Sequence, residues 1–461
     1  MHDIKLIRLV ERLAECLDRE NIQWCVLRNY DTFPKPRSAT SDLDILVSHP
    51  LRDALDHVGI LLADSSIVVG RVFIKSDSSL TGIYLATPNS PTLHVDLFDQ
   101  ITWRGHLLAS SEIILSQRVA LGAIPIPRPG HEAAVSLMSY LFHRGHVKPD
   151  YCDTLRELLA RDRPGFIECL CPVWSLGVAS ELADHIAQSD WDWFSNWVKN
   201  AKRRLLFSAC RHPLVALRNI TAIASNMTRR IFTPPGLSIA MLGPDGSGKT
   251  TLSETYRERL STMFYPVNQR HLHWRPRWLP APASLLGRTA ETTTVTEPHL
   301  RPPRGSLSSV FRLLYFWVDY VLGHWVRVRP VLAKGGLVTF DRYYQDFLVD
   351  PRRYRLSLPT GLIRMLGRLI PRPELLFILD APAEVLHARK QELPKLEIER
   401  QLVALRNLGA ADPSVRIIRV DRAVTEIVND LERETLAYLD RRNRCRLGWN
   451  FSHQQPSVGD F

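Results

Sequence analysis

The 461-residue sequence predicts an α/β chain in which two α/β blocks flank a helical region. Short apolar runs alternate with segments of helical period before residue 125 and again after residue 236, whereas helical periods alone fill the stretch between them. The length also exceeds that of one average domain. We therefore predict blocks at 1–125, 126–235 and 236–440. A disordered tail is expected at 441–461, because this stretch is first Arg-rich and then polar.

The first block is predicted to be a small α/β unit. Apolar residues from Ile4 to Leu17 recur at three- and four-residue steps, which is the period of a helix. Strand-like runs follow at Ile22–Leu27, Leu43–Val47, Val72–Ile74, Gly82–Ala86 and Leu93–Phe98. The helical middle block ends at the Thr-Pro-Pro-Gly stretch of residues 233–236, a composition typical of a break between elements.

The third block opens with a strand, a glycine-rich loop and a helix. Leu237–Leu242 leads directly into GPDGSGKT, Gly243–Thr250, and helical character follows from Leu252. In this context the glycines let backbone N–H groups converge on phosphate oxygens, and the helix start adds partial positive charge. Lys249 would reach the β- and γ-phosphates of ATP, and the Thr250 hydroxyl would ligate Mg²⁺. The predicted nucleotide-binding residues are Gly243, Pro244, Asp245, Gly246, Ser247, Gly248, Lys249, Thr250 and Thr251.

Two other interpretations of this loop stay open. One is a chance Gly/Ser turn ahead of a helix, and the other is a degenerate loop that still binds a nucleotide.

An acidic residue ends the next predicted strand of this block. Leu337–Phe340 runs into Asp341 and Arg342, and an acid at the carboxyl end of a parallel strand lies beside the phosphate loop. We expect Asp341 to hold Mg²⁺ through water and Arg342 to grip an acceptor phosphate or oxyanion. A local surface ion pair between these two residues is the alternative.

A charged stretch beginning at Arg389 and Lys390 follows the strand Leu375–Leu379 and a short helix. Mobile cations there would close over the triphosphate and stabilise charge on the transferring phosphoryl group, although a solvated helix face is the alternative. With further strands at Arg270–Trp274 and Val415–Val420, the block is predicted to adopt a P-loop NTPase fold. Its five parallel strands would carry helices on both faces.

Residues 237 to about 440 resemble the thymidylate kinase family of P-loop nucleotide kinases. GPDGSGKTT, DRYY and LDAPAEVLHARK stand in the family's order. The resemblance implies phosphoryl transfer from ATP, with Mg²⁺, to a phosphate-bearing acceptor. It assigns the triphosphate and metal to Lys249 and Thr250, the acceptor phosphate to Arg342, and the lid to Arg389 and Lys390. It also matches Asp245 to an acid that contacts acceptor sugar hydroxyls.

Two segments depart from the family's pattern. Its Thr-Arg-Glu-Pro element is replaced by HLHWRPRWLP, His271–Pro280, and its base-reading segment by YQDFLVDPRRYR, Tyr344–Arg355. An insertion covers roughly residues 275–304. The phosphate-handling parts are thus kept and the thymine-reading parts replaced, so we expect a nucleotide- or sugar-type anionic acceptor other than thymidylate. Arginines that would bind such an acceptor are Arg275, Arg277, Arg352, Arg353 and Arg355. Much of the same set lining a lipid or partner surface is the alternative.

Three carboxylates mark a second candidate site in the first block. Asp42 and Asp44 alternate along one strand and so share a face, and Asp96 on a later strand would join them. Three such groups suit Mg²⁺ for nucleotidyl transfer. Residues 20 to 100 resemble the nucleotidyltransferase fold of the aminoglycoside-modifying type, although Arg28 and Asn29 stand where that family has a Gly-Ser pair. Carboxylates flanking a turn are the alternative.

Charge and composition narrow the setting without choosing the ligand. A net charge of +11 and a pI of about 9.4 suit anionic partners, or reflect an Arg-rich surface alone, and we find no clear nucleic-acid signal. Seven scattered Cys suggest thiols in a reducing cytoplasm, which is our predicted location. The start lacks the apolar segment of a signal peptide. We read Val310–Val326 as a core helix rather than a membrane span, with membrane-surface contact as the minority interpretation.

Three functional hypotheses remain. The leading one is an ATP-dependent P-loop kinase with a nucleotidyltransferase-like first domain. The second is a regulatory ATP-binding protein without an acceptor. The third is a nucleotidyltransferase that acts through Asp42, Asp44 and Asp96.

Overall fold

The computed structural model describes residues 4–34, 42–48, 50–63, 66–75, 79–88, 92–211, 213–280, 305–412 and 414–449. The chain forms two compact units. The first contains residues up to Arg229 together with those from Leu439 onward, and the second runs from Arg230 to Tyr438.

A mixed five-stranded sheet forms the first part of unit 1. Its strands are β1 (Trp24–Val26), β2 (Leu43–Val47), β3 (Val68–Ile74), β4 (Leu80–Ala86) and β5 (Leu93–Phe98). They lie in the order β1-β2-β5-β4-β3, with β2 and β5 parallel and the other pairs antiparallel. Helices α1 (Ile4–Arg19) and α2 (Leu51–Ala63) contribute their apolar faces to the same core.

Both faces of β1 and β2 are buried, because successive side chains of a strand point in opposite directions. Trp24, Val26 and Ile45 belong to the core that α1 and α2 complete. Cys25 and Leu46 belong instead to the core of the helical region. The blocks predicted at 1–125 and 126–235 therefore share packing and form one unit.

Two hairpins and six helices complete the described part of unit 1 before the linker. The hairpins and the short helix between them are β6 (Ile101–Trp103), β7 (His106–Ala109), α3 (Ser111–Ser116), β8 (Val119–Leu121) and β9 (Ile124–Ile126). The helices are α4 (Pro129–Arg144), α5 (Pro149–Arg161), α6 (Arg163–Trp174), α7 (Leu176–Ala187), α8 (Trp191–Arg211) and α9 (Pro213–Phe232), the last of which ends within unit 2.

A five-stranded parallel sheet forms the centre of unit 2, which confirms the predicted fold class. Its strands are β10 (Leu237–Leu242), β11 (Gln269–Leu272), β12 (Leu337–Phe340), β13 (Leu375–Asp380) and β14 (Val415–Arg419). Their order is β11-β12-β10-β13-β14, so β10 is central and its carboxyl end lies between those of β12 and β13. That position places the glycine-rich loop at the middle of one sheet edge.

Helices flank this sheet. They are α10 (Lys249–Arg259), α11 (Ser306–Gly323), α12 (Arg329–Ala333), α13 (Asp346–Val349), α14 (Thr360–Gly367), α15 (Ala383–Arg389), α16 (Lys395–Ala411) and α17 (Val424–Leu447). Among the described residues, no helix combines the length and the apolarity that crossing a bilayer requires. The segment predicted as a core helix, Val310–Val326, belongs to α11 and the π-helical turn after it, and it buries Leu313, Phe316 and Tyr320.

The predicted disordered tail is wrong for residues 441–449. Helix α17 continues to Leu447, and Leu447 and Trp449 are buried in the core of unit 1. Asn443 Nδ2 donates to the carbonyls of Val69 and Gly70, which anchors the helix to β3. Although this stretch is rich in Arg, one face of the helix is buried, and its polar side chains donate hydrogen bonds to buried backbone carbonyls. Residues 450–461 lie outside the described range.

Candidate functional site

The loop after β10 has the backbone of a phosphate cradle. Gly246 and Gly248 have φ values of 86° and 77°, and α10 begins at the next residue, Lys249. A Cβ at Gly246 would stand 2.6 Å from the carbonyl oxygen of Leu386 in α15. Glycine is required at this position both for the positive φ and for the close approach of that helix.

Lys249 folds across the mouth of this loop. Its Nζ donates to the carbonyls of Gly243 and Pro244, each at 2.8 Å, and the side chain is buried. Burial, aided by the nearby charge of Arg342, lowers the pKa of Lys249 to about 7. The amino group is thus already at the loop, where phosphate oxygens would replace the two carbonyls as acceptors.

Asp245 is the centre of a buried ionic network. Its carboxylate accepts from Arg342 at 2.5 Å and from Arg353 at 2.7 Å, and Lys249 Nζ lies 4.0 Å away. The second arm of Arg342 donates to Asp346 at 2.9 Å. Burial would raise the pKa of Asp245, but the three cations outweigh it and hold the pKa well below its usual range.

The alternative of a surface ion pair between Asp341 and Arg342 is wrong, because Arg342 is 7% exposed and pairs with Asp245 and Asp346 instead. Its assignment to an acceptor phosphate stays a prediction. Arg342 links the phosphate loop to the end of β12. Arg353, which the sequence offered only as one of several arginines, contacts the loop directly through Asp245.

Asp341 lies at the carboxyl end of β12 with two histidines from the end of β11. His271 Nε2 and His273 Nδ1 lie 3.3 Å and 3.5 Å from its Oδ2. Burial would raise the pKa of Asp341, but the hydrogen bonds to His271 and His273 outweigh it and hold the pKa below its usual range. The other oxygen, Oδ1, is buried and has no hydrogen-bond partner in the described part of the chain. Sequence reasoning missed both histidines, whose signal was their alternation in HLH at a predicted strand end.

These groups fit a hard divalent cation. The orphaned Oδ1 of Asp341 and the hydroxyl of Thr250, the second residue of α10, are oxygen donors of the kind that Mg²⁺ prefers.

The predicted lid cations have partners within the chain. Arg389 Nη1 donates to the carbonyl of Val420 at 2.9 Å, and Lys390 Nζ lies 3.0 Å from Glu392 on the surface. The backbone of Lys390 is close to the loop, since a Cβ at Gly246 would lie 3.3 Å from the Lys390 Cβ. In this structure neither cation is directed at the loop.

Arg275 is a structural residue, so its prediction as an acceptor-binding arginine is wrong. It is 5% exposed and donates to Asp319 at 2.8 Å and to the Leu279 carbonyl at 3.0 Å. Asp319 also accepts from the backbone N–H of Arg277 and Leu279. The replaced segment HLHWRPRWLP is thus held in place by one fully buried carboxylate.

The three predicted carboxylates of unit 1 come together in part. Asp44 lies opposite Asp96 in the parallel register of β2 and β5. The Asp44 carboxylate is, however, paired with Arg28, whereas His94 bridges Asp42 and Asp96. Asp42, His94 and Asp96 each offer a ligand atom, and these atoms lie within 4.8 Å of one another. Sequence reasoning missed His94, which lies between Asp42 and Asp96. The predicted role of Asp44 as a metal ligand stays a prediction.

The site in unit 1 combines a histidine of raised pKa with an adjacent cavity. Burial opposes a charge on His94, but hydrogen bonds to Asp42 and Asp96 outweigh it and raise its pKa to about 9. Beside these residues opens a cavity of about 760 Å³. Its lining includes Arg28, Tyr30, Asp42, Asp44, Glu132, Tyr140, Arg144, Lys148 and Tyr151.

Part of the chain is similar in sequence to known thymidylate kinases. No protein-family model matches the chain. A thymidylate kinase from Thermomicrobium roseum is 30% identical over 156 residues, which are 33% of this chain and 67% of that protein. A thymidylate kinase from Xanthomonas campestris pv. campestris is 28% identical over 150 residues, and the match spans 58% of its length. A solved structure of thymidylate kinase from Ehrlichia chaffeensis aligns with a TM-score of 0.31 and 20% identity, covering 43% of this chain and 99% of that one. The identity and coverage of the first relative confirm the resemblance: the chain belongs to the thymidylate kinase family.

Proposed function

We propose that unit 2 transfers the γ-phosphoryl group of ATP to an anionic acceptor of nucleotide or sugar type other than thymidylate. The observation that carries the proposal is the phosphate loop, in which Lys249 Nζ donates to the carbonyls of Gly243 and Pro244, and Gly246 and Gly248 have positive φ. Backbone N–H groups, a buried ammonium and a helix start converge there, which suits a triphosphate.

The donor side uses three residues of this chain. Lys249 would bind the β- and γ-phosphates, and Thr250 and Asp341 would hold Mg²⁺. The metal, when bound, neutralises charge between the β- and γ-phosphates. The backbone of Lys390 lies near the loop, and Arg389 and Lys390 would add positive charge there once they leave Val420 and Glu392.

The charges at the loop support an anionic acceptor. Arg342, Arg353 and Lys249 surround Asp245, and because Asp346 pairs with Arg342, three cations face two carboxylates at the loop. An acceptor phosphate would replace Asp245 as the partner of Arg353. An acceptor oxygen then attacks the γ-phosphorus, a new P–O bond forms, and the bond to the β-phosphate oxygen breaks to release ADP. Because the segments that read thymine in the family are replaced here, thymidylate is not the expected acceptor.

Incubating metabolite extracts with γ-labelled ATP and Mg²⁺ tests this function. The full chain should give a labelled small-molecule product that Lys249→Met abolishes while its circular dichroism spectrum stays unchanged. Labelling by Lys249→Met at the wild-type rate would contradict the assignment, as would thymidylate turnover of roughly 1–100 s⁻¹. Tight ATP binding without any labelled product would favour the regulatory alternative.

Nucleotidyl transfer in unit 1 is a second candidate function. It is favoured by the register of Asp44 beside Asp96 and by the adjacent cavity. Pyrophosphate release that Asp42→Ala abolishes and Lys249→Met leaves intact would support it. Release with the opposite pattern would exclude it.

A further inference from the structure

We propose that α11 and α14 of unit 2 form a surface that binds an anionic phospholipid bilayer. In this arrangement α11 lies along the bilayer and does not cross it, because one of its faces is buried in the core of unit 2. Binding of this kind is separate from phosphoryl transfer, and its test requires no ATP.

Helix α11 is apolar on two opposite faces. Leu313, Phe316 and Tyr320 are buried in the core of unit 2. Steps of three, four and eight residues place a second set of apolar side chains in one stripe along the other face. A helix that is apolar all round is normally enclosed, so an exposed stripe of this kind calls for a partner. The stripe consists of side chains that are 40–73% exposed: Leu307, Phe311, Leu314, Leu322, Trp325 and Val326.

The stripe is continuous. Between Leu307 and Val326, a stretch that the structure describes in full, the Lys, Arg, Asp and Glu side chains are those of Arg312 and Asp319. The guanidinium of Arg312 lies over the ring of buried Phe316, 5.2 Å from its centroid, and Asp319 is fully buried. Neither charge interrupts the stripe, which spans roughly 28 Å at the rise of an α-helix. An exposed apolar surface of this size marks a contact with a membrane or another protein.

Helix α14 adds exposed cations and further apolar side chains beside α11. The two helices are joined where Trp317 Nε1 of α11 donates to the carbonyl of Leu366 at 3.0 Å. Apolar and basic side chains are exposed together around this contact, namely Arg364, Met365, Arg368 and Leu369.

The distribution of charge favours an anionic bilayer as the partner. All carboxylates between residues 305 and 373 are at most 3% exposed, so the exposed charge of this fully described stretch is positive. Cations beside an apolar stripe complement anionic headgroups above acyl chains. A second copy of the chain would present the same cations, and like charges oppose such a contact. The buried carboxylates are Asp319, Asp341, Asp346 and Asp350.

Trp325 ends the stripe with an amphipathic side chain. The guanidinium carbon of Arg329 lies 5.4 Å from the centroid of its ring. Tryptophan is enriched where headgroups meet acyl chains, and arginine there keeps its stem in apolar surroundings while its charge reaches the headgroups. This end of the stripe therefore fits the boundary of a bilayer.

Sedimentation of the full chain with vesicles of equal parts phosphatidylglycerol and phosphatidylcholine tests the surface. We expect binding at low salt, weaker binding to phosphatidylcholine alone, and weaker binding in about 1 M salt, where charges are screened beyond about 3 Å. Leu307→Gln combined with Phe311→Gln should weaken binding about 100-fold and leave the circular dichroism spectrum unchanged. Burying one such side chain contributes about tenfold or more to affinity, and both are exposed in the free chain.

The matched control is Leu396→Gln combined with Val403→Gln in α16. These two residues are also exposed and share a helix face, but exposed Glu399 lies between them on that face. The control variant should therefore bind the anionic vesicles like the wild type.

Arg364→Gln combined with Arg368→Gln tests the contribution of charge. Because each basic residue near an anionic surface contributes about fivefold, this variant should bind the vesicles about 25-fold more weakly. If the variant of Leu307 and Phe311 does not fold, this pair decides: weakened binding supports the surface, and unchanged binding refutes it.

Each of the following results would overturn the proposal. The wild type does not bind the anionic vesicles, the α11 and α16 variants lose binding equally, or the folded α11 variant binds like the wild type. A dimer that the α11 variant dissociates, in a chain that does not bind vesicles, would assign the stripe to a second copy instead.

Discussion

Asp245 holds the cations of the phosphate loop together, so Asp245→Ala tests the geometry on which the proposed function depends. The residue is 8% exposed and pairs with Arg342 and Arg353. Removing one partner of a buried ion pair leaves an uncompensated charge and costs about 3–5 kcal/mol. In a unit of about 200 residues, each kcal/mol lowers Tm by about 2–4 °C. The expected fall in Tm is therefore about 6–20 °C.

Differential scanning calorimetry of the full chain measures this change. Unit 2 is identified as the transition that Mg²⁺-ATP moves to higher temperature, because a ligand of the native state stabilises the unit that binds it. Inorganic phosphate should raise the Tm of Asp245→Ala more than that of the wild type, since it supplies the missing negative charge to Arg342 and Arg353.

Asp319→Ala is the matched control. It also removes a fully buried carboxylate from an arginine, Arg275, and should lower Tm similarly. Phosphate should raise its Tm no more than that of the wild type, because Arg275 is enclosed by the Leu279 and Pro280 carbonyls. Equal rescue of both variants would refute the reasoning, as would a fall of less than about 2 °C in Asp245→Ala.

The difference in stability between the wild type and Asp245→Ala should depend on pH. The pKa of Asp245 is lower in the folded than in the unfolded chain, so its contribution to stability is complete above the unfolded value of about 4. It is lost as the pH falls towards the folded value. The difference in Tm between wild type and Asp245→Ala should thus be constant above about pH 5 and shrink below about pH 4.

Three further predictions follow from burial and backbone geometry. Gly246→Ala should weaken ATP binding in calorimetric titration by about tenfold or more, because a Cβ 2.6 Å from the Leu386 carbonyl forces the loop to shift, and restoring its geometry at positive φ for the nucleotide costs about 1–2 kcal/mol. Gly361→Ala, whose Cβ meets nothing within 4 Å, should not weaken ATP binding. Burial lowers the pKa of Lys249 from 10.5 to about 7 in the folded chain. Between these two pH values, the unfolded chain therefore binds more protons than the folded chain. Wild-type stability should therefore rise with pH over that range relative to Lys249→Met, and a flat difference would contradict this. Burial raises the pKa of Cys169 to about 12, so a thiol reagent at pH 8 should modify exposed Cys445 in the native protein and Cys169 only after denaturation, as mass spectrometry would show.

Local patterns were enough to predict the fold of unit 2. Leu237–Leu242 and Leu337–Phe340 have the bounds that the sequence indicates, because a short apolar run that begins after a glycine and ends at a glycine or a charged residue permits few other structures. The phosphate loop could also be predicted, since its glycines, lysine and threonine all lie within the short stretch Gly243–Thr250. Properties that depend on neighbours in sequence were therefore accessible from sequence alone.

Pairings between distant residues were not accessible in the same way. Arg342 and Arg353 reach Asp245 across 97 and 108 residues, and nothing near either arginine indicates which carboxylate it meets. His94 was overlooked for a related reason, since its role depends on Asp42, which is 52 residues away. Ion pairs are set by packing rather than by local pattern, so the partners of a charged residue emerge only with the fold.

The charged side chains at the phosphate loop are paired with groups of the chain itself. Lys249 lies on two loop carbonyls, and Arg342 and Arg353 lie on Asp245. A ligand therefore exchanges one set of hydrogen bonds for another, and only the surplus appears as affinity. A neutral acceptor that displaced Asp245 would leave arginines unpaired, whereas a phosphate monoester would replace its charge. Under the proposed function, electrostatics would thus favour an anionic acceptor, and recognition of its remaining part would fall to the replaced segments at 271–280 and 344–355.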